Sequence, residues 1–315
     1  MKRSHPGRCE RQGMSLVELF ELFPDNAAAE KWFEAQRWPN GVSCPTCGSE
    51  RYSDVKSRKP MPYRCKDCRE HFSVRKGTVM QSSKLGYQKW AVAIYLVATS
   101  LKGVSSMKLH RDLKIRQPSA WHLAQRIREG FTEGEELMAG PVEVDETYFG
   151  GKESNKHASK KLRAGRGAVG KTPVIGAKDR ATNRVSAGAV PFVDKLMVWE
   201  FVTWVAEKEA ALYTDEAAVY KGFRNHEAVH HSVGEFVRDQ AHTNGLESFW
   251  ALMKRGYYGT YHKLSPKHLN RYVQEFAGRH NIRGLDTIAQ MALIARGLDR
   301  KRLRYRDLVA DVEVR

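Results

Sequence analysis

Val142-Glu143-Val144-Asp145-Glu146-Thr147-Tyr148-Phe149 alternates apolar and polar residues and stops at Gly150-Gly151. Period-two alternation closed by glycines is the signature of a strand with one buried face. This strand carries an acid, Asp145, near its middle. Ala211-Leu212-Tyr213-Thr214-Asp215 is a shorter apolar run that ends on a carboxylate and reads as a second acid-bearing strand. A third segment, from His242-Thr243-Asn244-Gly245-Leu246-Glu247 to Lys254-Arg255, places Leu246, Phe249, Trp250 and Met253 at helical spacing. Seven positions on a helix fall about 20° short of two full turns, so Glu247 and Lys254 share a face beside the apolar stripe.

Those residue types suit one chemistry. Two divalent cations about 4 Å apart can activate an attacking hydroxyl and stabilise a leaving oxygen during in-line displacement at phosphorus. Hard magnesium ions take carboxylate oxygens, so acids from distant parts of the chain must converge. Taken singly, each acid has a plain explanation: an Asp ending a strand is a turn residue or a helix cap, and a Glu on an amphipathic helix is solvated. Taken together, in this order and with a lysine seven positions after the Glu, they point to one shared site. Glu143 lies on the same strand face as Asp145 and reads either as a fourth acid or as an ordinary polar strand residue. His230, His231 and His242 stand near the same motifs and read either as water- or phosphate-positioning groups or as simple hydrogen-bonding residues.

Charge indicates the partner. The chain has 315 residues with 53 Lys and Arg against 36 Asp and Glu, a formal net charge of +17. Such a field attracts phosphate backbones through counterion release. A small ribosomal protein is excluded by length, since the chain is long enough for two or three domains and 41% of it is hydrophobic. The longest apolar stretch, Trp90 to Ala98, is about half of what a membrane span needs. Met1-Lys-Arg-Ser-His-Pro lacks the apolar core of a secretion signal. No membrane partner is expected, and the expected location is the cytoplasm, with the nucleoid when DNA is bound.

Cys44-Pro-Thr-Cys47 and Cys65-Lys-Asp-Cys68 are two Cys-x-x-Cys knuckles with 17 residues between them. That spacing fits four thiolates around one tetrahedral, structural zinc ion. An odd total of five cysteines and the lack of a secretion signal argue against disulfides. Arg51-Tyr52 and Tyr63-Arg64 supply the short strands of a zinc ribbon, and Cys9 is left without a role.

Helices flank the ribbon on both sides. Upstream, Ser15 to Pro24 and Asn26 to Trp38 read as two short helices. Downstream, Tyr87 to Leu101 is apolar-rich, Ser105 or Ser106 caps a second helix, and Gln117 to Arg128 begins with Pro118 in its first turn. The last two, joined at Lys114-Ile115-Arg116, read either as a helix-turn-helix presenting His122, Gln125, Arg126 and Arg128 to a major groove or as a helical spacer.

The remainder follows a recognisable order. The Gly- and Lys-rich stretch between Gly151 and Lys171 has no apolar period and reads as a loop, either gripping nucleic acid near the acids or simply solvated. Val174 to Asp179 and Arg184 to Val190 form strands around a turn at Arg180-Ala-Thr-Asn183, and Lys195 to Ala206 is an amphipathic helix leading into the Asp215 strand. Ala228 to Gly234 offers one more strand. Three strands, a helix, a strand and a later acid-bearing helix is the order of an RNase H-like fold. An apolar helix from Asp286 to Leu298 precedes Arg300-Lys301-Arg302-Leu303-Arg304-Tyr305-Arg306, a run that tracks DNA backbone or solvates a tail.

On the zinc knuckles, Val144 to Gly151, Tyr213-Thr214-Asp215, and His242-Thr243-Asn244 through Phe249-Trp250 to Lys254-Arg255 and Gly259-Thr-Tyr-His262, the chain resembles bacterial insertion-sequence transposases of the ISXO-like group. The resemblance runs from about residue 20 to beyond 283. It implies an N-terminal zinc ribbon joined to a DDE-type RNase H-like catalytic domain in which Asp145 and Asp215 bind two Mg2+ or Mn2+ ions. For the third metal position family members differ between Asn and Glu, and here Asn244 and Glu247 stand one turn apart. Glu247 is preferred as the stronger magnesium ligand, leaving Asn244 to orient a phosphate, a water or Glu247 itself. Lys254 then contacts DNA phosphate near the cleaved bond or forms a salt bridge with Glu247, with Arg255, Arg126 and Arg128 as further DNA contacts.

The expected architecture is α+β and multidomain: a zinc ribbon and helix-turn-helix-like N-terminal region, then an RNase H-like α/β domain with a mixed sheet. The expected divisions are a helical segment at 1–38, the ribbon at 39–76, the helix-turn-helix-like region at 77–138, the catalytic domain at 139–284 and a basic helix and tail at 285–315. The expected partner is double-stranded DNA, both element ends and target, gripped by a homodimer or higher assembly.

Overall fold

The computed structural model describes residues 11–131, 136–151, 153–162, 168–215, 222–223, 225–229 and 244–310, without the side chains of Lys160, Asp215, Ala228 and Val229. The chain divides into two compact units, one of residues 1–132 with 282–315 and the other of residues 133–281.

In the first unit, α1 (Leu16–Leu22) opens with a capping box in which Ser15 and Glu18 satisfy each other's backbone amides. Asp25 caps α2 (Asn26–Arg37), whose Ala29 and Phe33 are buried. The ribbon follows as three short antiparallel strands, β1 (Tyr52–Asp54), β2 (Tyr63–Cys65) and β3 (His71–Phe72). Strands this short make few ladder bonds, so edge-to-face contacts of Trp38, Tyr52 and Tyr63 around the buried Phe72 fill the layer beneath them. α3 (Tyr87–Thr99) is buried over most of its circumference, as a helix with so little polar surface must be. Ser105 caps α4 (Ser106–Leu113), which ends on Lys114 in the left-handed region at φ 48°, and α5 (Gln117–Arg128) follows after two residues.

The second unit is built on a five-stranded mixed sheet. Its strands are β4 (Val142–Phe149), β5 (Thr172–Asp179), β6 (Val185–Ala189), β7 (Leu212–Asp215) and β8 (His226–Val229), with α6 (Lys195–Val205) between β6 and β7. The spatial order is β6-β5-β4-β7-β8; β4, β5 and β6 form an antiparallel meander, whereas β7 and β8 run parallel to β4. This is the RNase H-like arrangement. Val142 and Val144 point to one face, where they pack with Val198, Val202 and Val205 of α6. The opposite face carries Phe149, Val174, Val185 and Ala187 and is covered by α7 (Asn244–Gly256) and α8 (Pro266–Asn281).

Most elements fall where the sequence patterns place them, with two differences. β8 begins at His226, ahead of the expected strand at 228–234, whose residues 230–234 lie outside the described part. α8 has no counterpart in the sequence expectations, although Leu269, Tyr272, Val273 and Phe276 recur at helical spacing and are buried. After it, α9 (Thr287–Arg296) and the short α10 (Tyr305–Val309) return to the first unit, where Met291, Ile294 and Leu298 enter the core around α3. The C-terminal helix and tail expected as a separate division therefore share a core with the N-terminal helices. Among the described residues no helix is long and apolar enough to cross a membrane.

Candidate active site

The site is organised by a coincidence of repeats. Two residues along a strand advance about 6.6 Å, and four along a helix about 6 Å, so a helix lying along a strand can make contacts in step with it. α7 does this on β4. The backbone amide of Leu246 donates to Glu143 Oε2 at 2.8 Å, and one helical turn later Trp250 Nε1 donates to Asp145 Oδ2 at 3.0 Å. Two anchors fix both the height of the helix and its rotation.

A glycine makes the second anchor possible. Asp145 pairs with Gly176 on the neighbouring strand, and a Cβ on Gly176 would lie 2.6 Å from Cζ2 and 2.7 Å from Cη2 of Trp250. The indole therefore occupies the place of a side chain and reaches across to the half-buried Asp145 carboxylate. The first anchor is a buried ion pair. Glu143 is 1% exposed, and its Oε1 accepts from Arg180 Nε at 2.9 Å while Oε2 faces the start of α7. A carboxylate at a helix N-terminus meets both unsatisfied amides and the positive end of the dipole. The Arg180 guanidinium also lies over the Tyr213 ring, 4.3 Å from its centroid. Glu143 and Tyr213 each precede an acid by two residues, and Leu246 precedes Glu247 by one. Glu143, Arg180 and Tyr213 thus tie together the three elements that carry Asp145, Asp215 and Glu247.

β4 and β7 are neighbours in parallel, with Val142 opposite Leu212 and Glu143 opposite Tyr213. The pairing ends there, two residues before Asp145 on β4 and two before Asp215 on β7, so the two acids leave the paired segment at the same level. Adjacent strands lie about 4.8 Å apart. The Asp215 side chain is outside the described part, as are His230, His231 and His242 in full. Glu247 is exposed on the first turns of α7, about 60° around the helix from Trp250. Asn244 is exposed at the start of the same helix, and Lys254 and Arg255 are exposed on its last turn. Thr214, next to Asp215, bonds to His226 Nε2 at 2.7 Å, and burial pushes the imidazole pKa below its ordinary value.

The four knuckle cysteines form a separate cluster. Their Sγ atoms all lie within 4.8 Å of one another, with Cys44 to Cys68 and Cys47 to Cys65 at 3.6 Å. A tetrahedron with zinc–sulfur bonds of about 2.3 Å has sulfur–sulfur edges of about 3.8 Å, so the set fits zinc. The backbone amide of Cys68 points at Cys65 and holds its thiol at about 6, in the range where the thiolate ligand forms readily.

Comparison with known proteins matches both parts of the chain. Residues 137–281 match the ISXO2-like transposase domain, and residues 24–71 match the transposase zinc-ribbon domain. The chain belongs to the ISXO2-like transposase family. It is also similar to an uncharacterized protein in the transposable element ISH50 of Halobacterium salinarum, 26% identical over 279 residues that cover 82% of this chain and 93% of the relative. No solved structure matches.

In this transposase the arginines expected to reach DNA from α5 are turned inward. Arg126 is 9% and Arg128 4% exposed, and Arg126 donates from Nε to the Leu303 carbonyl and from Nη2 to the Gln81 carbonyl. His122 Nε2 lies 3.3 Å from the same Leu303 carbonyl, and Gln125 is fully buried. For His122 and Arg126 the reason is the returning C-terminal segment, whose Leu303 carbonyl meets both side chains. On α4, the turn and the start of α5, the exposed residues are instead Met107, Lys108 and Asp112, which pair at 2.7 Å, Arg111, Lys114, Arg116, Pro118 and Ser119.

Three residues of the transposase site exceed their sequence reading. Trp250 is core by its spacing and is also a donor to Asp145; Glu143 is a helix-anchoring ion pair; Arg180, read as a turn residue, is the other half of that pair. The available signal was an acid two residues before Asp145 on the same face, which a buried strand face must pair.

Proposed function

We propose that this protein is a DNA transposase that binds the ends of its own element, hydrolyses phosphodiester bonds there, and joins the resulting 3′ hydroxyls to target DNA. The observation that carries the reading is the convergence at the middle of the sheet of three acid-bearing elements, with the central strand β4 and its neighbour β7 adjacent in register and α7 anchored to β4 at two points. Asp145, Asp215 and Glu247 are the residues that would hold two Mg2+ or Mn2+ ions. When bound, such a pair activates the attacking hydroxyl and stabilises the leaving oxygen.

Each residue has a stated task. The Trp250 indole N–H fixes the rotamer of Asp145, as a hydrogen bond from the surrounding shell does for a ligating carboxylate. Glu247 presents a carboxylate from the exposed side of a helix whose position is set by Glu143. It is preferred over Asn244 because a carboxylate is the stronger magnesium ligand, and Asn244 then orients phosphate, water or Glu247. Lys254 and Arg255 receive backbone phosphate on the last turn of the same helix. The zinc ribbon and helices α3 to α5 address the element ends, and a dimer or larger assembly forms on DNA because two ends must be joined. The ISH50 relative, aligned over most of both chains, supports an element-encoded role.

Strand transfer is the direct test. Oligonucleotides with pre-cleaved element ends, incubated with magnesium and a supercoiled target, should give joined products. Asp145→Asn and Glu247→Gln should abolish joining while leaving duplex binding in place. Cleavage without joined products would indicate a nuclease of the same fold, and sequence-specific binding without cleavage a zinc-dependent regulator.

A further inference from the structure

We propose that the cleft between the first zinc knuckle and the chain segment 299–302 is a binding site for the DNA sugar-phosphate backbone, with Arg300 and Arg302 as its phosphate contacts. This rests on the reading that the protein acts on DNA and adds where the duplex is gripped outside the catalytic unit.

The segment is built to point its arginines outward. The chain leaves α9 and is pinned at once: Val79 donates to the Leu298 carbonyl at 3.1 Å, and the Asp299 carboxylate pairs with Arg37 at 2.8 Å. Beyond that point inward and outward residues alternate. Lys301 Nζ donates to the Glu129 carbonyl at 2.6 Å, and Leu303 is buried with its carbonyl held by Arg126 at 3.1 Å. Arg300 and Arg302 consequently face solvent, the Arg300 side chain with 95% of its surface exposed. Arg300 stands in a turn in the left-handed region, at φ 54°, and Arg302 follows it two residues on. Two outward cations two residues apart suit neighbouring phosphates of a polymer better than a single small anion.

Charge and shape agree. The cleft has a volume of about 590 Å³ and is bounded by Ser43, Pro45 and Gly48 of the knuckle on one side and by Arg300 to Arg302 on the other. Its one carboxylate, Asp299, is held by Arg37 at 2.8 Å, and Arg300 Nε touches its other oxygen only at the long distance of 4.0 Å, from a side chain that is 95% exposed. Arg304 supplies an internal contrast: it continues the alternation, but both its Nε and Nη2 are taken by the Asp307 carboxylate, at 2.8 and 2.9 Å. The inward anchors fix the backbone that carries the arginines before DNA arrives, so little chain ordering opposes binding.

Full-length protein and a fluorescein-labelled 30-base-pair duplex, followed by anisotropy between 50 and 200 mM salt, test this. Each phosphate contact contributes about 0.9 to the slope of log affinity against log salt, so R300A/R302A should lower the slope by about 1.8 and weaken binding equally on any sequence. R304A should leave the slope unchanged. Zinc content and thermal melting check that the variants are folded, and R300K/R302K should keep the slope, since only charge is required. An unchanged slope in folded R300A/R302A, or an equal loss in R304A, would overturn the proposal. Joined products from protein whose slope is insensitive to these arginines would remove this site alone; a full salt effect without joined products would instead remove the transposase reading.

Discussion

Gly176→Ala is a one-methyl change that reports on the geometry beneath Asp145. The new Cβ would sit 2.6 and 2.7 Å from two ring carbons of Trp250, whereas carbon atoms rest at about 3.5 to 4.0 Å. The ring must retreat by roughly 1 Å, and the flanking strand backbone, paired on both sides, gives little room for the alternative. That retreat carries Nε1 out of hydrogen-bond reach of Asp145 Oδ2, now 3.0 Å away. Overpacking costs about 1–3 kcal/mol, and the lost bond to a half-buried carboxylate contributes toward the low end of about 1.5–3 kcal/mol. The sum is about 3 kcal/mol, or a melting point lower by about 6–12 °C for a unit of this size. Calorimetry of wild type, Gly176→Ala, Trp250→Phe and the double variant forms a cycle that isolates the contact. In the Trp250→Phe background the smaller ring clears the methyl, so the added alanine should cost less than about 1 kcal/mol. Strand transfer by either single variant should fall about 10- to 100-fold, the usual effect of losing a partner of a metal-ligating group. Equal costs of the alanine in both backgrounds would refute the reasoning.

Other perturbations probe the remaining joints. Glu143→Gln leaves Arg180 charged beside a neutral amide in a buried place and should destabilise the second unit by about 3 kcal/mol in chemical denaturation, with Arg180→Met partly restoring it. Chelation with a strong zinc ligand, or Cys44→Ser, should abolish the near-ultraviolet dichroism of Trp38, Tyr52 and Tyr63, because the ribbon's short strands have little else to hold them. The depressed pKa of His226 means that the unfolded chain takes up its proton first as pH falls below about 6.5. Stability is therefore full above that value and declines as pH drops through it toward the folded pKa, a decline that His226→Asn should remove from the pH dependence of the melting point. Arg126→Lys, which cannot reach two carbonyls with one planar group, should lower the melting point of the first unit more than it weakens DNA binding.

Much of this was legible in the sequence because local chemistry decides it. Strand alternation around Asp145, the serine and aspartate caps of α1, α2 and α4, and the cysteine spacing each depend on a few neighbouring residues. What was hidden depends on partners far along the chain. That Arg126 is buried follows from Leu303, 177 residues later, whose carbonyl it holds, and nothing within α5 announces it. Trp250 reads as core from its spacing, and it is core. Its bond to Asp145 exists only because Gly176, 74 positions earlier, leaves a gap on the next strand. α8 was open to the same periodicity argument as α7, but its Lys267, His268 and Arg271 interleave with the apolar stripe and obscure it.

The most direct measurement is metal-directed cleavage of the polypeptide. Fe2+ substituted for Mg2+ in the presence of ascorbate and peroxide generates hydroxyl radicals that cut backbone within a few ångströms of the bound ion. A shared site should give cuts near residues 145, 215 and 247 together, all suppressed by excess Mg2+ and all lost in Asp145→Asn. Cuts clustered at only one of the three, or a pattern unaffected by Asp145→Asn, would contradict a common metal site formed by these acids.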